Sequence, residues 1–395
     1  MNESNNQVND QCDSILDWCW QTMNCGQWNN VSQSIRQIYA YHRLLKAILI
    51  LDNKTKLNYL DCLIEALESI DHGLIMSPDL DGKLLSTVST LIHHNIITIL
   101  DNMDNNKLQV NNNEYYNKWN KLRNIDLTSF TTSKSIKIPI LNISHDCSIQ
   151  RVHKMELFDF ECNHLRSKVP IIITGATKDW PCFCKQRRWC IEYLLRTASF
   201  RMIPVEIGSK YTEVTWSQKL MKLIDFIDQY IFTNNQNPNE IGYMAQHNLF
   251  EQIPELENDF LIPDLCASTE VDNIDDNSLN VDINGWFGPP GTVSPLHTDP
   301  KHNLFVQVIG RKYIRLYSHE TPHEQIYPYE ENLLSNTSAV DLENVDTDKF
   351  NLFNQIDPSL IYECILEEGE MLYIPKQWWH FVKSLNVSFS LSFWW

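Results

Sequence analysis

With 32 Lys and Arg against 50 Asp and Glu, this chain of 395 residues carries a formal net charge of −18, and 43% of it is hydrophobic, enough for two parts and a sizeable core. A negative balance of that size repels phosphate backbones, so no direct nucleic-acid partner is expected and a cationic one fits better. The opening MNESNNQVNDQCDS has neither the basic start nor the apolar stretch of a secretory signal, and no apolar run is long enough to span a bilayer; a soluble, intracellular protein with no membrane partner is the expectation.

From about Val31 to Leu100 the pattern is helical. Ile35, Ile38, Tyr39, Leu44, Leu45 and Ile48 recur at three- and four-residue spacing, as do Leu57, Leu60, Leu63, Ile64 and Leu67, and a third such segment runs from Leu84 to Leu100. Gly73, Pro78 and Gly82 interrupt between the second and third, which suits antiparallel helices. Residues 101 to 117 are Asn-rich and poor in aliphatics and read as an exposed linker. Helices therefore occupy residues 1–120 as an all-α N-terminal domain, 121–150 are linking chain, and 151–395 form the larger domain.

Beyond residue 150 the texture changes to short strand-like runs, VPIIIT, RMIPVEI, NLFVQVI, KYIRLY, MLYIP and NVSFSLSFWW, divided by Gly, Pro, Asn and Asp. Many short strands without intervening helices predict an antiparallel sandwich or jelly roll. Leu304 to Tyr317 reads as a hairpin turning at Gly310-Arg311, and the region from Trp189 to Tyr230, with WCIEYLLRTA and WSQKLMKLIDFIDQY, reads as helices packed outside the sandwich. A reducing compartment keeps the 11 cysteines as thiols and leaves the sequons at Asn30, Asn53, Asn142, Asn336 and Asn386 unglycosylated. Cys182, Cys184 and Cys190 lack the second pair of a zinc motif and read as buried, unligated thiols.

Of the 13 histidines, His297 alone is followed two residues later by Asp, in GPPGTVSPLHTDP. Residues i and i+2 of an extended strand point to one side, so His297 and Asp299 can hold a metal from adjacent corners. His380, which opens the strand after YIPKQWWH, can be brought opposite them by antiparallel closure. Two His and one carboxylate on one face of an iron leave three positions open, as an oxygenase requires. The spacing alone is unspecific. If Lys312, Ile314 and Leu316 share an inward strand face, the ammonium is buried and a small dicarboxylate would relieve the cost; otherwise Lys312 snorkels to solvent or the face is shifted by one. 2-Oxoglutarate has the right parts, a 2-oxoacid end for iron and a far carboxylate for the lysine.

The runs VPIIITGATKDWP, PVEIGSKYTEVTWS, GYMAQHNLFEQIPEL, NGWFGPPGTVSPLHTDPKHNLFVQVIGRKYIRLYS and GEMLYIPKQWWHFVKSLNVSFSLSFWW resemble the Jumonji-C oxygenases over about residues 150 to 395. The resemblance implies a cupin-like double-stranded β-helix with flanking helices, with Fe(II), 2-oxoglutarate and O₂ as cofactor and cosubstrates. It implies His297, Asp299 and His380 as iron ligands, and Lys312, Tyr243, Ser294 and Asn303 as residues that hold or support the far carboxylate of 2-oxoglutarate. Trp286 and Trp394 match aromatic positions near the pocket, and Glu206 and Trp216 match positions at the substrate entrance. The segment 271–280, VDNIDDNSLN, is longer than the corresponding family loop. His302, His319 and His323 have no partner at ligand spacing and read as surface histidines.

From Glu251 to Ser278 there are nine acidic residues and no Lys or Arg, and from Leu316 to Asp348 eight and again none, which predicts a negative pocket mouth unless these are simply solvated loops. The resemblance implies a protein substrate that is ribosomal, chromatin-associated or histone in character and sits in the nucleus or cytoplasm, the nucleus preferred. Hydroxylation of an arginine side chain is the favoured reaction, because Cys/His spacings of chromatin-reading zinc modules are lacking. Methyl-lysine demethylation by the same chemistry is the alternative. A noncatalytic cupin-like scaffold is the reading of another class, and a metalloprotease lacks its HExxH helix.

Overall fold

The computed structural model describes residues 3–25, 30–52, 59–105, 113–125, 147–208, 210–213, 215–232, 241–269, 280–330 and 334–395. Most of the expected linker, the sequons at Asn53 and Asn142, and residues 271–279 of the long loop lie outside them. Five helices come first: α1 (Glu3–Met23), α2 (Gln33–Asp52), α3 (Tyr59–Met76), α4 (Leu84–Asn105) and α5 (Glu114–Arg123). The periodicity reading missed α1. Its inward stripe is Cys12, Leu16, Cys19 and Met23, at helical spacing, but two of the four anchors are cysteines, and Val8, Trp18 and Trp20 lie exposed off that stripe and blur the period. Among the described residues no helix is long and apolar enough to cross a membrane.

Thirteen strands follow: β1 (Arg151–His153), β2 (Ile171–Thr174), β3 (Met202–Ile207), β4 (Ser217–Lys222), β5 (Gly242–His247), β6 (Asp282–Gly288), β7 (Val293–His297), β8 (Asn303–Ile309), β9 (Lys312–Tyr317), β10 (Ile361–Leu366), β11 (Met371–Ile374), β12 (Trp379–Ser384) and β13 (Ser388–Trp394). They form a nine-stranded sheet in the order β1-β2-β11-β8-β13-β6-β5-β3-β4 and a four-stranded sheet in the order β10-β9-β12-β7. From β6 onward the chain passes back and forth between the sheets, the winding of a double-stranded β-helix.

Two local expectations are corrected. Leu304 to Tyr317 is not a hairpin: β8 pairs with β11 and β13, whereas β9 pairs with β10 and β12, so the turn at Gly310 carries the chain from one sheet to the other. Gly310 has φ of +73°, and Arg311 donates its amide to Asn386 Oδ1 at 2.8 Å, tying this turn to the one before β13. The segment 217–222 is a strand, since its whole length pairs with β3 from Met202↔Lys222 to Ile207↔Ser217. Partner hydrogen bonds outweigh the weak helical preference of SQKLMK, and the helix expected in this region is confined to Ile191–Ala198 and the short turns after β4.

Among the described residues four apolar clusters divide the work, the smallest (Cys12, Leu16, Cys19, Met23 and Tyr39) holding α1 to α2. Ile172, Phe305, Ile314, Leu316, Leu372 and Val382 fill the space between the sheets. Tyr313, Tyr317, Phe353 and Phe381 pack the outer face of the four-stranded sheet beneath the chain between β9 and β10. The outer face of the large sheet (Ile203, Val205, Phe287, Leu391) shares one continuous core with Leu63, Leu67, Ile96 and Trp119 of the helices. The helical layer is thus joined to the sheet by burial as well as by sequence. Ion pairs from α5, Lys118 to Asp225 and Lys121 to Asp228, both at 2.7 Å, edge the junction.

Candidate metal and cosubstrate site

The strand β7 ends at His297, and β12 begins beside it, with His380 directly opposite His297 in the antiparallel ladder. Asp299 lies two residues past the end of β7 rather than on it. Its carbonyl accepts from the Gln377 amide at 2.8 Å, and Gln377, with φ of +64°, sits in the turn that delivers β12. One loop contact therefore couples the HxD turn to the His380 turn.

The ligand atoms of His297, Asp299 and His380 lie within 4.8 Å of one another, and among the described residues this is the one such group of three. Asp299 approaches His380 Nε2 at 3.4 Å and His297 Nε2 at 4.0 Å. The far side of each ring is committed: His297 Nδ1 donates to the Pro295 carbonyl at 2.6 Å and His380 Nδ1 to the Trp378 carbonyl at 3.0 Å. Those bonds select the tautomer with a free Nε2 lone pair, the form that binds a metal. Burial, reinforced by the neighbouring His380, pushes His297 down to about 4, so it is neutral at ordinary pH. Burial would raise Asp299, yet the hydrogen bond and charge of His380, with His297, hold it below the usual carboxylate range. Burial would lower His380 in turn, but the Asp299 carboxylate raises it.

A narrow cavity opens from this triad between the sheets, lined also by Tyr243, Trp286, Ser294, Asn303, Phe305, Ile374 and Val382. Lys312 faces inward with Ile314 and Leu316, as the parity argument required, and is fully buried. It donates to Tyr243 Oη at 3.1 Å, and its ammonium lies 5.2 Å from the Phe305 ring centre. Burial pushes Lys312 down to about 7. Tyr243, itself raised by burial, is also bonded to Ser294. Asn303 Oδ1 is buried without a hydrogen-bond partner. A buried lysine held against two residues of the slot's wall, Tyr243 and Phe305, and an orphaned amide oxygen in that wall fit a small polar ligand better than a packed core.

The remaining site residues are placed unevenly. Trp286 lines the cavity and donates Nε1 to Ser392 Oγ at 3.0 Å, whereas Trp394 pairs with Asn303 in the ladder without lining it. Glu206 and Trp216 lie in a small adjoining cavity, with Lys210, Tyr211 and Thr292, and Tyr243 is the wall between the two cavities. Trp216 Nε1 donates to Glu206 Oε2 at 3.2 Å, and burial raises the Glu206 carboxyl. Tyr211 was not singled out in the sequence; its hydroxyl bonds Thr337 at 3.1 Å, and Thr337 forms a β-bridge with His297. No local spacing marks it, because Thr337 is 126 residues away.

Several expectations fail here. His302 is buried, 6% exposed, and bonds Tyr373 Oη at 2.9 Å beneath Trp395; its surface assignment is wrong because the chain's last aromatic folds over it. Of the three clustered cysteines only Cys182 is buried, Cys184 being exposed. The second acidic run is not a free negative rim: Asp341 and Glu343 pair with Lys210 at 2.6 and 3.1 Å, and Glu343 with Lys383 at 2.6 Å. In the first run Asp259 is buried against Arg187, Trp189 and Tyr193, and residues 270–278 lie outside the described structure. Asn386 is 9% exposed and accepts from Arg311, consistent with an unmodified sequon.

Residues 158–395 match the model of the cupin-like domain family. The chain is 39% identical to lysine-specific demethylase 8 of Danio rerio over 381 residues, covering 96% of this chain and 86% of that protein. This chain belongs to the Jumonji-C group of cupin-like oxygenases. Within that group it is also 37% identical to Jumonji C domain-containing protein 5 of Drosophila melanogaster over 65% of this chain and 62% of that one. JmjC domain-containing protein D of Dictyostelium discoideum is 45% identical over 60% of this chain and 53% of its own length. The Danio match, at 96% of this chain, takes in the helical layer as well.

Proposed function

We propose that this protein is an Fe(II)- and 2-oxoglutarate-dependent oxygenase that hydroxylates an arginine side chain of a protein substrate, in the nucleus or cytoplasm. His297, Asp299 and His380 would hold the iron, and Lys312 and Tyr243, with Ser294 and Asn303, the far carboxylate of 2-oxoglutarate. When bound, the iron and 2-oxoglutarate supply O₂ activation, in which 2-oxoglutarate leaves as CO₂ and succinate and one oxygen atom enters a substrate C–H bond. The protein's part is positional. The Pro295 and Trp378 carbonyls orient the two imidazoles, Lys312 and Tyr243 fix the depth of the cosubstrate, and Trp286 and Phe305 exclude water from its flanks.

The observation that carries the arginine reading is Glu206, a half-buried carboxyl one tyrosine away from the metal cavity. Burial raises its pKa, so an arriving cation would stabilise its charged form and gain a charge-assisted bond, while Trp216 offers a face for a planar guanidinium. The names of the Danio and Xenopus relatives support methyl-lysine demethylation as a second reading. Both are tested by incubating the protein with Fe(II), 2-oxoglutarate and Arg- or methyl-Lys peptides and recording intact masses. One added oxygen on an arginine peptide is the expected result, with Glu206→Gln raising the peptide KM by roughly tenfold or more. Loss of a methyl group selects the demethylase. Absence of any succinate, with His297→Ala indistinguishable from wild type, leaves a binding scaffold.

A further inference from the structure

Among the described residues Asp71 of α3 is the most deeply buried carboxylate in the helical layer, and its partner, Arg201, immediately precedes β3. Its oxygens take Arg201 Nη2 at 2.7 Å and Nε at 3.0 and 3.1 Å, with side-chain exposures of 0% for Asp71 and 1% for Arg201. The same carboxylate accepts the backbone amide of Met202, the first residue of β3, at 2.7 Å. Gln252 completes the knot: its carbonyl accepts from Arg201 at 2.7 Å, its amide donates to the Met202 carbonyl at 2.8 Å, and its Oε1 meets His247 Nε2 at 2.8 Å. From α4, buried His93 turns Nε2 to Ser199 Oγ at 3.4 Å and the Phe200 amide at 3.5 Å.

Both strands that leave this knot end at the site. β3 runs from Met202 to Glu206, about 13 Å at strand rise, and β5 runs back from His247 to Tyr243, with Glu206 and Tyr243 paired in the ladder. A buried ion pair tolerates little displacement, because moving either charge leaves the other uncompensated. A strand is also a rigid transmitter of register, since slipping by one residue turns every side chain to the other face.

We propose that Asp71 is a positioning residue for the Glu206 cavity, so that the α3–α4 layer is part of the substrate-recognising unit. This rests on the reading of Glu206 as the substrate contact. Asp71 anchors the first amide of β3, Arg201 passes the constraint to Gln252 and β5, and the wall shared by Glu206 and Tyr243 takes its position from both.

The test uses the full chain and three variants: Asp71→Asn, the apolar double variant Asp71→Leu/Arg201→Leu, and Glu68→Ala, which removes the Glu68–Lys222 pair, 2.9 Å long and partly exposed, at the same interface. The double variant leaves no buried charge unpaired, so it separates stability from positioning. Backbone hydrogen exchange is expected to accelerate at least tenfold in β3 and β5 of the first two variants, with β7 and β12 and the whole of Glu68→Ala at wild-type rates. The peptide KM rises at least tenfold in the same two variants, and the 2-oxoglutarate Kd rises with it, because Tyr243 lines both cavities. Wild-type exchange in β3 of the double variant overturns the proposal, as does acceleration spread evenly over all strands in step with a fall in Tm. If the wild type turns over no peptide, the oxygenase reading fails, and hydrogen exchange still decides the role of Asp71.

Discussion

Replacing Lys312 by Met should move stability and ligand affinity in opposite directions. The ammonium is fully buried on β9 with one hydrogen bond, to Tyr243 Oη, and burial brings it from 10.5 down to about 7. At about 1.4 kcal/mol per pH unit, keeping it charged without a facing carboxylate costs the fold about 5 kcal/mol. The folded pKa lies below the unfolded one, so the cost is complete below pH 7 and fades as pH rises from 7 toward 10.5. The methionine variant, similar in length and apolar, should therefore melt higher than wild type at pH 6 to 7, with the advantage shrinking by pH 9. A dicarboxylate that needs the ammonium reverses the sign. Losing one charge-assisted bond costs about 1.5–3 kcal/mol, or roughly 10- to 150-fold in 2-oxoglutarate affinity. In the wild type, affinity should also fall by up to about tenfold per pH unit above 7, and in the variant this slope should vanish. Thermal melts and calorimetric titration with 2-oxoglutarate and Mn(II), each at pH 6, 7, 8 and 9, read both effects. A variant that melts lower and binds 2-oxoglutarate as tightly as wild type at every pH refutes the reasoning.

Three further outcomes follow from close contacts. In Gly288→Ala the new Cβ would lie 2.7 Å from Tyr243 Cδ2 and 2.8 Å from Thr292 Cγ2, so 2-oxoglutarate affinity should drop by about tenfold, measured by titration, with the fold retained on circular dichroism. Gly310→Ala places a side chain at φ of +73° against the Val387 carbonyl and the Asn386 amide; a loss of about 2–4 kcal/mol should appear as a lower Tm. Asp299→Ala should abolish the visible charge-transfer absorption expected of an anaerobic Fe(II)–2-oxoglutarate complex while leaving the far-UV spectrum unchanged; persistence of that absorption would remove Asp299 from the metal site.

The strand runs were legible because strands buried on both faces are continuous apolar words, as IIIT of β2 and the run NLFVQVI of β8 are. Segments whose state is set by a partner were not. SQKLMK becomes β4 only because β3 offers it a ladder, and nothing local distinguishes a hairpin at Gly310 from a turn that changes sheets. His302 illustrates the same limit for burial, since the residue that covers it is Trp395, far along the chain. The acidic runs mislead for a related reason: charge counted along a segment says nothing of Lys210 and Lys383, which arrive from the loop after β3 and from β12 to neutralise Asp341 and Glu343.

By itself the sequence determined the chemistry on offer: an HxD pair, a distant histidine on a strand, a lysine on a strand whose facing it left open, and a helical third ahead of a β-rich remainder. Those are properties of residue type and short-range period, which strand and helix geometry translate directly into direction. What only the tertiary structure decided is which of these groups meet. His380 stands opposite His297 because β12 pairs with β7, Glu206 falls in a neighbouring cavity behind Tyr243, and Asp71 reaches Arg201 across 130 residues. Such meetings depend on sheet register and on layer-to-layer burial, long-range terms with no imprint on local spacing.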